Sequence, residues 1–159
     1  MFKNAYQALQ RAWLDTWGWD IYRQPVGTEA QILDRVRVPL NDSDTEFEAQ
    51  LLDMAKLLVD LLNEAAIAQD LEPVANERGI SKLKRRLELL GYPHAERDTT
   101  FLRQLQTLRS RVSAHTPGSS GQSWLAAELD GLTRRDFVIE LMRRATQMLG
   151  DLAEFVPTT

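Results

Sequence analysis

Apolar residues recur along this chain mostly at helical intervals. Leu9, Trp13 and Trp17 follow at steps of four within a segment running from about Asn4 to Tyr22, which predicts a helix with one buried face. Gly18 weakens its end, and Pro25 with Gly27 marks a turn. Trp13, Trp17 and Trp19 read as core packing rather than as a stacking platform for bases or a partner-binding patch, because aromatic residues at helical spacing normally fill interiors. Residues 28–38 are ambiguous: Ile32, Val36 and Val38 fit either a short helix or an extended piece ending at Pro39.

Ser43-Asp44-Thr45-Glu46 has the form of a capping box, in which the serine oxygen and the glutamate each satisfy a free N–H at a helix start. The helix that follows is predicted to reach about Asp70, with Phe47, Leu51, Met54, Leu58, Leu61 and Ala65 on one face. Leu52, Leu57 and Val59 widen that face until only a narrow polar stripe is left, at Lys56, Asp60, Asn63 and Glu64; so apolar a helix belongs at the centre of a bundle. After Pro73, a shorter helix is expected from about Ile80 to Leu90, closed by Gly91 in a left-handed conformation. Tyr92-Pro93-His94 is a loop. The next helix is predicted to begin near Thr99 and to bury Phe101, Leu105, Leu108 and Val112. A Pro/Gly/Ser stretch, Thr116 to Gly121, is the expected flexible loop, covering about 116–122. Thr133, with Asp136 three residues on, starts a long helix through Phe137, Leu141, Ala145, Met148 and Leu152. With no strand pattern, internal repeat or second domain, the pattern predicts one all-α domain over 1–159, an antiparallel bundle of four to five helices.

Composition narrows the class. A chain of 159 residues suits a single domain with a proper core, and 43% hydrophobic with 26% charged residues is ordinary for a globular protein. No run of 18 apolar residues exists, so no membrane span is expected. The N-terminus, interrupted by Lys3, Arg11 and Asp15, lacks the apolar core of a signal peptide. The absence of cysteine excludes a disulfide framework and thiolate metal sites. A cytoplasmic protein fits these features.

The net charge of −4 speaks against a general nucleic-acid coat protein, but it conceals a segregation. From Asn41 to Glu77 there are ten acids and one base, Lys56; from Arg78 to Arg111 bases prevail, among them Lys82, Lys84, Arg85, Arg86, Arg103, Arg109 and Arg111. The second segment either attracts phosphate as one surface or is neutralised by solvent and by the first.

Most catalytic signatures are missing. There is no Gly-x-x-x-x-Gly-Lys loop, no Gly-x-Gly-x-x-Gly, no His-Glu-x-x-His and no Glu-x-x-His. Asp60 and Glu64, one turn apart, have no histidine near them and read as a salt-bridged or solvated stripe with Lys56 rather than as metal ligands. Two histidines in the whole chain make a transition-metal centre unexpected, and no cofactor is implied.

What remains is the end of the Thr99 helix, Leu108-Arg109-Ser110-Arg111-Val112-Ser113-Ala114-His115. Here the chain resembles the HEPN superfamily, helical bundles found in toxins, antiphage defence systems and RNA-processing enzymes. Its motif is an Arg, four to six residues, and a His near a helix end; Arg109 and His115, with five residues between them, match it. Ser110 stands where the family usually has a polar residue, often Asn. The resemblance implies a metal-independent endoribonuclease acting on RNA, with Arg109 and His115 catalytic, Arg111, Ser110 and Arg103 as substrate-binding residues, and two protomers pairing their motifs in a homodimer. The residue types suit that chemistry. A histidine titrating near neutrality can take a proton from a ribose 2′-hydroxyl, and an arginine can hold the phosphate. On a regular helix, however, His115 lies over Arg111 rather than Arg109, so either arginine is a candidate partner. The alternatives are a capping role for His115 at its own helix end and, for the whole chain, a non-catalytic helical interaction module or a subunit of a larger complex.

Overall fold

The computed structural model describes residues 1–113 and 119–157 and is all-α; the single β-type pairing among the described residues is a bridge between Tyr22 and Leu62. The first helix, α1 (Phe2–Trp17), buries Phe2, Tyr6, Leu9 and Trp13. It stops at Gly18, whose φ of 78° lets its N–H close back on the Leu14 carbonyl at 2.8 Å. Trp13 is fully buried, with its ring 4.4 Å from that of Trp17 and 5.4 Å from that of Trp19, so the tryptophans are core packing as their spacing predicts.

The ambiguous stretch after α1 contains both alternatives. A short helix, α2 (Ile32–Arg35), gives way to extended backbone at Val36. Gln50, buried on the next helix, holds the junction: its oxygen accepts from the Arg37 N–H and its amide donates to the Arg35 carbonyl, both at 3.0 Å. That helix, α3 (Asp44–Ala55), starts as predicted, with the Ser43 hydroxyl accepting from the Glu46 N–H at 3.2 Å. The reciprocal arm of the capping box is not formed. Glu46 turns to Arg37 at 3.2 Å, and the Ser43 N–H takes the Asn41 side chain instead.

The helix predicted to run to Asp70 ends ten residues earlier. After Ala55 it widens into a π turn (Lys56–Asp60), where the Leu61 N–H reaches back five residues to the Lys56 carbonyl at 3.0 Å. The chain then leaves the helix to pair with residues 21–23: Arg23 donates its N–H to the Leu61 carbonyl at 2.7 Å and Asn63 donates its own to the Ile21 carbonyl at 2.9 Å. Leu61, Leu62 and Ile67 are buried all the same, Ile67 within the short α4 (Glu64–Ile67). The apolar spacing therefore foretold the burial of Leu58 and Leu61 but not the end of the helix, and it misplaced Leu52, which is 41% exposed, and Ala65, which is exposed because the chain has left the predicted helix by then.

The helix α5 (Gly79–Leu90) ends as expected at Gly91, with φ 81° and the Tyr92 N–H on the Leu87 carbonyl at 2.9 Å. The next, α6 (Ala95–Ser113), begins four residues before the predicted Thr99. Its first turn buries Asp98, which accepts from the Tyr92 hydroxyl at 2.6 Å and from Arg97 at 2.8 Å; Arg97 also reaches Asp151 at 2.7 Å. An unpredicted helix, α7 (Ser119–Leu129), takes in residues 119–122 of the expected flexible loop. The last, α8 (Arg134–Phe155), is capped by the Thr133 hydroxyl, which accepts from the Asp136 N–H at 3.1 Å, and buries all five predicted apolar positions. α1 packs along α8, α3 against α6 and α8, and α5 against α6. With α3 and α5 both against it, α6 leaves a solvent side that carries Arg103, Ser110 and Arg111. Among the described residues, no helix is long and apolar enough to cross a membrane.

Candidate functional site

The solvent side of α6 is set by helical spacing. Phe101, Leu102, Leu105 and Leu108 point into the core, which leaves Arg103, Gln106, Thr107, Ser110 and Arg111 in a polar stripe with steps of three and four. Ser110 and Arg111 are both exposed and, with Gln106 and Thr107, line a shallow recess of about 350 Å³. Arg111 is positioned from above: its guanidinium carbon lies 5.0 Å from the ring centroid of Trp124 on α7. Among the described residues no carboxylate pairs with Arg111.

Arg109 faces elsewhere. Two residues from Arg111 is a rotation of about 200° around a helix, and this turns Arg109 toward the end of the π turn. Its Nη1 lies 2.5 Å from Oδ2 of Asp60, with the arginine side chain only 20% exposed. The Asp60 carbonyl also accepts from Arg23 at 2.6 Å. Asp60 thus ties α6 to α3 and to the segment after α1, and the motif arginine serves that junction. In a double-mutant cycle of Asp60→Ala with Arg109→Ala, read from urea unfolding midpoints, the coupling is expected to be about 1 kcal/mol and to weaken with added salt. A coupling indistinguishable from zero would show that the pair contributes nothing to the fold.

Arg103 lies apart from both. It donates to the Ser81 hydroxyl at 3.3 Å and lines a second cleft, of about 430 Å³, with Arg78, Gly79 and Ser81 of the α5 start. Gln106 borders this cleft as well as the recess of Arg111. His115 lies outside the described residues, as do residues 114–118 of the expected loop. The structure therefore brings Ser110 and Arg111 together, links Arg103 to them through Gln106, and turns Arg109 away from Ser110 and Arg111 toward Asp60, which lines the cleft of Arg103.

Most of the segregated charge is neutralised within the molecule. Arg85 grips Glu77 through two bonds of 2.8 Å, which hold the Glu77 carboxyl below its usual range, and it also donates to the Glu72 carbonyl. Arg86 donates to the Ile67 carbonyl at 2.9 Å and to that of Gln69. Lys82 reaches Glu64 at 3.7 Å. Asp60 and Glu64 are salt-bridged, as their spacing suggested, but to Arg109 and Lys82 instead of Lys56. No group of three metal-ligating side chains occurs among the described residues.

No family model matches the chain, and no curated protein or solved structure matches it significantly. The chemistry has to be read from the residues themselves. Two of them carried no legible signal. Trp124 sits in a segment with weak periodicity, and the role of Gln106 depends on which way α6 faces. Asp60 was visible as a polar position, but its partner 49 residues away was not.

Proposed function

We propose that this chain is a metal-independent endoribonuclease of the HEPN type, an antiparallel bundle of four to five principal helices acting on RNA as a homodimer. The setting the resemblance implies is a toxin or an antiphage-defence system. The observation that carries this reading is the exposed pair Ser110 and Arg111, sharing one recess at the end of α6, two and three residues ahead of the last described residue of that helix. Arg111, without a carboxylate among the described residues and stacked on Trp124, holds the scissile phosphate; Ser110 adds a hydroxyl donor. His115, one helical turn beyond Arg111 in sequence, takes the proton from the ribose 2′-hydroxyl. The 2′-oxygen attacks phosphorus, the bond from phosphorus to the 5′-oxygen breaks, and the leaving oxygen takes up a proton. The products are a 2′,3′-cyclic phosphate and a 5′-hydroxyl. Pairing two protomers would double the positive charge at the phosphate.

Arg109 has a different part in this scheme from the one its spacing suggests. Held by Asp60, it positions the end of α6, and Arg111 takes the phosphate. The same ion pair favours a second reading, a non-catalytic helical module or subunit of a larger complex, in which the Arg–His spacing has no catalytic meaning.

Single-stranded RNA incubated in EDTA separates the two. Under the nuclease reading, His115→Ala lowers the cleavage rate by roughly 10²–10⁴-fold, Arg111→Ala lowers it by roughly 10²-fold or more, and light scattering reports a dimer. If His115→Ala cuts as fast as the unaltered protein, or the unaltered protein leaves every RNA intact, the module reading replaces it.

A further inference from the structure

The cleft at the start of α5 is less acidic than the residues around it suggest. Three carboxylates line it, those of Asp60, Glu64 and Glu77, and each is matched by a cation: Arg109 at 2.5 Å, Lys82 at 3.7 Å and Arg85 at 2.8 Å. Next to the cleft, Lys84 and Glu96 neutralise each other at 2.6 Å. Arg78 and Arg103 also line the cleft, and among the described residues neither pairs with a carboxylate. These two guanidinium groups are on exposed residues and make no direct ion pair among the described residues, although Lys84 also reaches Glu88 at 3.9 Å and Glu96 lies close enough to feel the charge of Arg103; the Ser81 hydroxyl between α5 and α6 is a neutral neighbour.

The cleft neighbours the recess of Ser110 and Arg111, and Gln106 lines both. From Arg103 to Arg111 the stripe runs eight residue steps along α6, about 12 Å along the axis. Arginines at its two ends, amide and hydroxyl donors between them, and neutralised carboxylates at the side are what a flexible polyanion needs over a few consecutive phosphates. A lone phosphate would use one end only.

Building on the nuclease reading above, we infer that the α5–α6 cleft is a second phosphate-binding stretch of the RNA site: Arg78 and Arg103 hold backbone phosphates a few nucleotides away from the one held by Arg111. It works by charge and reach and reads no base. It does not take part in bond breaking.

The test uses fluorescein-labelled oligouridylates carrying 2′-O-methyl groups, which bind without being cut, in two lengths, roughly two and roughly twelve nucleotides, the shorter having too few phosphates to span from Arg111 to Arg103. Fluorescence anisotropy is followed across a series of NaCl concentrations. For the longer oligomer, the Arg78→Ala/Arg103→Ala variant is expected to bind roughly tenfold more weakly and to lower the slope of log affinity against log salt by about 1.4, or about 0.7 for each phosphate no longer held. The shorter oligomer, accommodated by the Arg111 recess alone, should change by less than about twofold. Helical circular dichroism and a thermal melt check that both variants are folded. An unchanged salt slope in the double variant, with Arg111→Ala still weakening binding, refutes the second stretch and leaves the nuclease reading standing. If the unaltered protein binds neither oligomer and cuts no RNA, both fall together.

Discussion

Above pH 10.0 the protein is expected to lose stability by about 4 kcal/mol for each further pH unit, or about 1.4 kcal/mol for each of its three tyrosines. All three are at most 5% exposed. Burial pushes the Tyr6 hydroxyl well above its usual value, and it does the same at Tyr22, where repulsion from the negative charges of an ionised Tyr6, its ring 4.9 Å away, and of Asp98 adds to the effect. At Tyr92 burial again leads, followed by the hydrogen bond donated to Asp98, which would be lost on ionisation. In the unfolded chain the three release their protons near 10.0, whereas the folded chain keeps them. The unfolded state then binds fewer protons, so stability is intact below that pH and falls as pH rises through it. Urea unfolding at stepped pH, together with tyrosinate absorbance of the folded protein, measures both halves. Replacing Tyr6 by Phe should flatten the dependence by about 1.4 kcal/mol per unit. A folded protein whose tyrosines titrate freely near pH 10.0, with level stability, would contradict this account.

Trp13→Ala is expected to cost about 3–5 kcal/mol, because it empties a fully enclosed site and takes the packing of Trp17 and Trp19 with it. Trp13→Phe should be far milder than its loss of volume suggests. The buried indole Nε1 has no hydrogen-bond acceptor among the described residues, so deleting it removes a group whose desolvation costs about 1–3 kcal/mol and offsets much of the missing packing. The informative quantity is the difference between the two variants in urea midpoint. If Phe is as damaging as Ala, the ring fills a shape that only an indole satisfies, and the unpaired N–H carries no penalty.

Where local rules determine structure, the sequence was legible. Gly18 and Gly91 end helices because their left-handed backbone is unstrained only for glycine, and Thr133 starts α8 because its hydroxyl is three residues from a free N–H. Long-range contacts set what was illegible. Nothing near Leu61 announces that Ile21 and Arg23 will pull that segment out of a helix. Nothing near Glu46 says that Arg37 will compete for its carboxylate. The candidate site divides in the same way. Helical spacing correctly distinguished the faces of Arg109 and Arg111, whereas the partner that occupies Arg109 and the tryptophan that supports Arg111 come from distant parts of the chain.

A π turn is one residue more than an α-helix requires, so residues on either side of Lys56–Asp60 are out of step by about 100°. Removing the extra residue would swing the carboxylate at the helix end away from α6 by that angle. The π turn and the Asp60–Arg109 pair are therefore coupled: deleting one residue of the turn other than Asp60 should abolish the ion pair even though both of its side chains are kept.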